Sequence, residues 1–232
     1  MHQIPSSEPF RLKMKPAKFP RWKRALDLTL VVVTLPFWLP LMILLALALK
    51  CASRGPIFFR QERVGLGGRR FVCYKFRSML VNAETRVHED YLKRLIDTNC
   101  PMTKLDDSGD PRLIPMGRFF RSTGLDELPQ ILNVISGEMS LVGPRPCTPH
   151  EFGNAPELLA TRVTVPPGVT GYWQVNGKNR TTFKQMVEMD NFYSIHLSIG
   201  LDLKILFWTI PSILGQIAQK RSGCAVGKQA VN

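Results

Sequence analysis

The stretch from Leu26 to Leu49, LDLTLVVVTLPFWLPLMILLALAL, limits the folds open to this chain more than any other part of it. Asp27 is its only charged residue, and about 20 apolar residues suffice to cross a bilayer core. The run is too long for the apolar core of a cleaved signal peptide, and no small-x-small site before a polar region ends it. Two features argue against a straight spanning helix. Pro36 and Pro40 each remove a backbone donor and crowd the carbonyl one turn back, so both favour a bend. Basic residues also flank both ends, Arg21, Lys23 and Arg24 before it and Lys50, Arg54, Arg60 and Arg63 after it. Positive residues prefer the cytoplasmic side. A bent helix that enters and leaves on one face satisfies both flanks, whereas a straight one carries one flank across. The flanks favour the re-entrant form, and the spanning form stays as the alternative. A bend in hydrocarbon survives only where neighbouring groups satisfy the backbone it frees. Asp27 is expected at the interface, paired with Lys23 or Arg24.

The chain carries 31 Lys and Arg against 18 Asp and Glu, a formal charge of +13. Such a surplus seeks polyanions: nucleic acid, anionic lipid or phosphorylated small molecules. With 44% hydrophobic residues the chain can bury a core. Its 5 cysteines are scattered without a C-x-x-C pair. That excludes a disulfide framework and a cysteine zinc site, and fits a reducing compartment. The 4 histidines also lie far apart, so no histidine-based metal site is expected.

Residues 1–20 combine prolines and lysines and read as a flexible basic arm on anionic lipid. The membrane segment occupies 21–50, one membrane-docked domain 51–220 and a tail 221–232. After the membrane segment, GPIFFRQERVG and RRFVCYKFRSM flank GLGG, the pattern of a small β-hairpin. Gly65, Gly67 and Gly68 have the wrong spacing for a dinucleotide fingerprint. The hairpin bears Arg60, Arg63, Arg69, Arg70, Lys75 and Arg77, a basic surface near the headgroups. Ala83 to Ile96 reads as a helix, and Asp106 to Asp110 as a turn rather than a calcium loop. Between Leu201 and Ala218, Leu206, Ile210, Ile213, Leu214 and Ile217 form one stripe at helical spacing, with Pro211 as a kink. That helix lies either in the membrane interface or on the soluble core. The fold class is α+β and mainly helical.

The stretch GLDELPQILNV carries the adjacent carboxylates Asp126 and Glu127. Leu125, Leu128, Leu132 and Ile135 recur as one face of a helix. Pro129 is tolerated only in a first turn, so a helix is expected to start near Asp126, with Asp126 or Thr123 as its cap. The bland reading ends there, with a carboxylate favoured by the helix dipole. The neighbourhood changes that reading. Arg118 and Arg121 precede the dyad, and Arg145 follows within SLVGPRP. Later comes PPGVTGYWQVNGKNR, with Lys178 and Arg180 and glycines that permit close backbone approach. A helix start among several Arg and Lys suits phosphate. Two carboxylates there repel phosphate unless they hold a cation such as magnesium or attack phosphorus themselves.

These residues resemble the bacterial sugar transferase family, the monotopic phosphoglycosyl transferases that start lipid-linked polysaccharide assembly. The likeness rests on KRALDL (Lys23 to Leu28), the proline-broken apolar segment, YKFRSM (Tyr74 to Met79) and DPRLIPMGRFFRSTGLDELPQILNVISGEMSLVGPRP (Asp110 to Pro146). It continues through PPGVTGYWQVNGKNR (Pro166 to Arg180) and DLKILFWTI (Asp202 to Ile210). The variant is most similar to members that launch exopolysaccharide synthesis. The resemblance implies a re-entrant membrane helix, the hairpin, catalytic helices and an interfacial C-terminal amphipathic helix, at the cytoplasmic face of the bacterial inner membrane.

It also implies a reaction. Asp126 attacks the β-phosphorus of a UDP-sugar, UMP leaves, and undecaprenyl phosphate takes the sugar phosphate from the aspartyl intermediate. Magnesium is the implied cofactor, held by Asp126 and Glu127, with Glu127 placing the metal or acting as a base. Arg121 and Arg145 match positions that hold phosphate. Pro40 matches the family's helix break, and Pro36 is extra. Lys178 stands where relatives often carry arginine; it keeps the charge and loses the bidentate fork, and Arg180 is the residue that can share the role. The implied partners are the UDP-sugar, undecaprenyl phosphate and a bilayer with anionic headgroups, without nucleic acid; a homodimer stays open. The competing reading is a non-catalytic, membrane-anchored basic binding or export-partner protein, which explains the charge but not the dyad.

Overall fold

The computed structural model describes residues 18–80, 112–177 and 181–226, with side chains through 215. The arm at 1–17, the helix at 83–96, the turn at 106–110, and Lys178 and Arg180 lie outside the described residues.

The apolar stretch forms two helices, α1 (Arg21–Val33) and α2 (Leu35–Ala52), separated at Thr34. The interruption precedes Pro36, which occupies the first turn of α2, while Pro40 sits inside α2. Pro40 is therefore not where the backbone parts, contrary to the expectation from resemblance. Pro36 offers no N–H to the carbonyl of Val32 and disfavours helical backbone just before it, so α1 has to end there. Side chains bond the carbonyls around the break. Thr34 Oγ1 donates to the Leu30 carbonyl at 2.6 Å, and Trp38 Nε1 donates to the Val31 carbonyl at 2.9 Å.

α1 corrects a second expectation. Lys23 and Asp27 do not meet at a membrane interface; both are buried in the protein. Lys23, Asp27 and Val31 are spaced by four and share one helix face. Lys23 Nζ donates to Asp202 Oδ2 at 2.5 Å and to Tyr193 Oη at 2.9 Å. Asp27 Oδ1 accepts from the Leu141 backbone N–H at 3.0 Å. Arg24 donates to the Val134 carbonyl and, at 2.6 Å, to that of Ile135. These groups pair with the rest of the protein rather than with each other, because burial demands a partner for Lys23 and Asp27 and the packed domain supplies one.

The hairpin is present as expected, with β1 (Phe58–Val64) and β2 (Arg70–Phe76) antiparallel and Gln61 opposite Cys73. Next come α3 (Gly117–Thr123), α4 (Gln130–Ser136), β3 (Ser140–Val142), α5 (Pro149–Asn154), α6 (Pro156–Leu159), β4 (Gly168–Thr170), α7 (Tyr172–Asn176), α8 (Phe183–Ile195) and α9 (Ile199–Val226). The architecture is mainly helical with two small sheets. The second sheet, β3 parallel to β4, was not read from the sequence. It joins SLVGPRP to PPGVTG at a crossing where only glycine fits: a Cβ on Gly168 would lie 2.0 Å from the Gly143 nitrogen.

α9 buries Asp202 and Ile205. Further along, Thr209 Oγ1 shares a hydrogen bond with Thr170 Oγ1 at 2.9 Å, and Ser212 Oγ donates to the Gln174 carbonyl at 3.2 Å. The sequence stripe at Ile210, Ile213 and Leu214 is exposed, joined by Leu203, Phe207 and Trp208, while Leu206 is half-buried. α2 likewise exposes Phe37, Ile43, Leu44 and Leu47. It is long and apolar enough to cross a membrane by length and composition, with a mean hydropathy of 2.0.

Candidate active site

α3 ends at Gly124, whose φ of 74° is the left-handed conformation that a non-glycine residue resists. A single 3-10 turn, Leu125–Glu127, then carries the dyad. The Glu127 N–H bonds the Gly124 carbonyl at 3.0 Å, and the Leu128 N–H bonds that of Leu125 at 3.2 Å. Pro129 cannot supply the N–H that an α-turn would direct at Leu125, so α-geometry settles only from Gln130. The sequence placed the start of the α-helix at Asp126, a few residues too early. Pro129, not Asp126 or Thr123, is the N-cap of α4. Thr123 Oγ1 instead accepts from the Leu125 N–H at 3.4 Å.

The 3-10 turn winds three residues per turn and so rotates the helix that follows. Ile131 and Val134 are buried in place of Leu132 and Ile135, and Ile135 is exposed. Leu125 and Leu128 pack on Leu45, Leu49, Phe76 and Phe120. With its leucines committed to the core, the turn leaves Asp126 and Glu127 half-exposed.

Three clamps fix α4. Its apolar face meets Val31, Trp38 and Met139. Arg24 holds its C-terminal carbonyls, a favourable place for a cation. The buried Asn133 side chain acts as a strand partner for β2: Oδ1 accepts from the Tyr74 N–H at 3.0 Å and Nδ2 donates to the Val72 carbonyl at 2.7 Å. That register brings Lys75 to the dyad, and Lys75 Nζ lies 2.9 Å from Glu127 Oε1.

Phe59, Gln61 and Arg63 oppose Lys75, Cys73 and Phe71, so Arg63 and Lys75 share one face of the hairpin. At the Arg63 end the loop after β3 is anchored. The Val64 N–H bonds the Cys147 carbonyl at 2.9 Å, and Arg63 Nη1 donates to the Pro146 carbonyl at 3.0 Å. Arg145 Nη1 lies 3.1 Å from Glu151 Oε1. The pull of Glu151, against burial, raises the Arg145 pKa, and a weaker pull from Glu127 acts in the same direction. Burial alone would raise the Glu151 carboxyl; Arg145, Arg63 and the Thr148 N–H override it and hold it down to about 2. Behind them Arg162 Nη2 lies 2.9 Å from Asp190 Oδ2, both buried.

The structure thus joins Glu127 to Lys75, with Asp126 adjacent in the turn and Arg121 in the last turn of α3, and it anchors the loop of Arg145 at the other end of the same hairpin face. Lys178 and Arg180 lie outside the described residues. The flanks of that tripeptide are tied, since Thr181 Oγ1 donates to the Gly177 carbonyl at 3.4 Å and accepts from Trp173 Nε1 at 2.7 Å. Sequence reasoning counted Lys75 only as part of a basic hairpin and passed over Asn133, Glu151, Arg162 and Asp190. Thr148-Pro-His-Glu151 spells a capping box, a signal for Glu151 as a cap but not for its pairing with Arg145.

Among the described residues no group of three or more His, Cys, Asp or Glu could hold a metal. The dyad offers two hard carboxylates on an open turn. That suits magnesium, which is often held through one or two carboxylates plus substrate phosphates and water rather than in an all-protein cage.

A family model for bacterial sugar transferases matches residues 19–216. The chain belongs to that family. The match takes in α1, the dyad, the loop after β3 and nearly all of α9 with described side chains. Among curated relatives of this sugar transferase, the galactosyl transferase CpsE of Streptococcus agalactiae is 44% identical over 69% of this chain and 35% of its own length. The UDP-glucose:undecaprenyl-phosphate glucose-1-phosphate transferase of Xanthomonas campestris is 39% identical over 82% of this chain and 38% of its own length. The chain therefore spans little more than a third of those two proteins. It spans 84% of the exopolysaccharide production protein ExoY of Sinorhizobium fredii, at 36% identity.

Proposed function

We propose that this protein transfers a sugar 1-phosphate from a UDP-sugar to undecaprenyl phosphate, the opening step of exopolysaccharide assembly. The observation that carries this is the half-exposed Asp126–Glu127 turn with Lys75 bonded to Glu127 and the loop of Arg145 anchored on the same hairpin. A non-catalytic basic binding protein has no use for a carboxylate pair there.

Asp126 attacks the β-phosphorus of the donor. A phosphorus–oxygen bond to Asp126 forms, the bond to the bridging oxygen breaks, and UMP leaves with its electron pair. The lipid's phosphate oxygen then attacks the same phosphorus. The bond to Asp126 breaks, its carboxylate is restored, and the product is undecaprenyl-diphospho-sugar. Lys75, Arg121 and Arg145 offset phosphate charge during both displacements, a role the sequence also assigns to Lys178 and Arg180. Lys75 also steadies Glu127 through their ion pair. Oxygens of Asp126 and Glu127 would hold magnesium, whose chemistry there is to neutralise phosphate charge and polarise phosphorus.

The membrane sets the height of the site. In our reading the chain enters the bilayer from the cytoplasmic face along α1, turns at Thr34 and returns to the same face along α2, while the outward side chains of α9, Phe207 and Trp208 among them, lie in the interface. Holding the turn at headgroup depth supplies proximity to the lipid phosphate before it binds.

The test is direct. Purified protein with magnesium, undecaprenyl phosphate and a panel of UDP-sugars should release UMP. With donor alone, a peptide containing Asp126 should gain the mass of a sugar phosphate. Asp126→Asn should abolish turnover, and Glu127→Gln should lower it by about 100-fold or more. Silence with every common UDP-sugar removes the transferase reading, and full activity of Asp126→Asn removes the nucleophile. For topology, the exposed native Cys51 and a cysteine replacing Arg21 should both label from the cytoplasmic side. Periplasmic labelling at either end restores the spanning helix.

A further inference from the structure

Glu151 has more partners than a helix cap needs. It occupies the third position of α5 and completes a capping box with Thr148: the Glu151 N–H donates to Thr148 Oγ1 at 3.0 Å, and Glu151 Oε2 accepts from the Thr148 N–H at 2.6 Å. An ordinary box sits at the surface, whereas this glutamate is 1% exposed. Its second oxygen accepts from Arg145 Nη1 at 3.1 Å, and Arg63 Nη1 stands 3.9 Å from the first.

The backbone around Arg145 is pinned by the same cluster. Arg162 Nη2 donates to the Arg145 carbonyl at 2.5 Å, and Arg63 donates to that of Pro146. Pro144 and Pro146 fix φ on either side. Main chain and side chain of Arg145 are thereby ordered before any anion arrives, which lowers the ordering cost of binding one.

Charge balance gives the arrangement a direction. Arg63, Arg145 and Arg162 face two carboxylates, Glu151 and Asp190, so one positive charge is left over. The Arg63 and Arg162 side chains are 7% and 2% exposed, and that of Arg145 is 27%. The surplus therefore emerges at Arg145, the most exposed of the three.

We propose that Glu151 is a positioning residue: by holding one guanidinium nitrogen of Arg145 it aims the remaining donors at the diphosphate of the donor substrate. This rests on the transferase reading. Glutamine also serves in a capping box, yet it turns an amide N–H₂ toward Arg145 in place of an oxygen. Glu151→Gln thus keeps the cap and breaks the pairing, while Thr148→Ala weakens the cap and keeps the pairing.

The experiment uses the full chain in detergent with magnesium, below the melting temperature of every variant. For Glu151→Gln we expect KM for the UDP-sugar to rise about tenfold and pyrophosphate binding, read by calorimetry, to weaken by the same factor, about 1.4 kcal/mol. Thr148→Ala should move both by less than twofold. In an Arg145→Gln background, Glu151→Gln should add nothing further, because the two act as one unit. Unchanged KM and pyrophosphate affinity in Glu151→Gln, or effects that simply add with Arg145→Gln, overturn the proposal. If Glu151→Gln does not fold, Glu151→Asp draws the carboxylate back by one methylene and is read the same way. The calorimetric arm needs no turnover. Wild-type protein that binds pyrophosphate but releases no UMP counts against the transferase reading alone. Wild-type protein that turns over without binding pyrophosphate counts against the aim assigned to Arg145.

Discussion

Lys23 and Asp27 on α1 are buried and paired, while Phe37 and Leu44 on α2 are 77% and 63% exposed, although one apolar run encodes most of both helices. α1 spends its polar side chains on the domain: Lys23 on Asp202, Arg24 on the end of α4, Asp27 on β3. α2 commits Trp38, Leu45 and Leu49 inward, packs Leu39, Met42 and Ala46 along their edge and turns its remaining large apolar side chains out. Averaged hydropathy hides this difference. A charge within an apolar run is costly in lipid and harmless in protein when a partner waits for it, so the position of the partner decides which part of the run packs on the protein.

The largest expected effect comes from breaking the α1 side of this comparison. Lys23→Met leaves Asp202 buried beside Tyr193 and should cost about 3–5 kcal/mol in denaturant unfolding. Adding Asp202→Leu should restore most of that loss. A single variant as stable as wild type contradicts the clamp. At the junction, Trp38→Phe keeps the ring bulk and removes the indole donor to the Val31 carbonyl. About 1–3 kcal/mol should be lost, the usual cost of a buried carbonyl left unpaired. Arg24→Ala should follow with about 1 kcal/mol from the freed carbonyls of α4, together with slower turnover as the dyad turn loosens. The smallest effect on folding belongs to α2. Phe37→Ser with Leu44→Ser should shift stability in detergent by less than about 0.5 kcal/mol per site. The same pair should release protein from liposomes in a flotation assay. Loss of folding without loss of flotation would reverse the roles assigned to the two helices.

The legible parts of the molecule are those set by neighbours in sequence. The hairpin followed from two β-prone runs around GLGG, the bend from closely spaced prolines, and the dyad's importance from two carboxylates among cations. The errors have local causes as well. Pro129 converts the first turn to 3-10 geometry, which moved the start of α4 to Gln130 and swapped Leu132 and Ile135 for Ile131 and Val134 on its buried face. What stayed hidden depends on distant segments meeting. Lys75 looked like one surface cation among six until Asn133 set β2 against α4. Glu151 looked like a cap until the loop carrying Arg145 folded back over it.

The sequence by itself determined that this chain has an apolar, proline-interrupted segment, a basic hairpin and a carboxylate pair beside arginines, because composition and short-range spacing carry those properties. Only the tertiary structure decided which charges are neutralised and which are left to act. Pairing depends on where a partner arrives in space: Lys23 meets Asp202 and Glu127 meets Lys75 across long stretches of chain, and Arg145 meets Glu151 where a short loop folds back. Burial makes a partner obligatory for Lys23, Asp202 and Glu151, while Lys75 and Glu127 meet at a half-exposed turn.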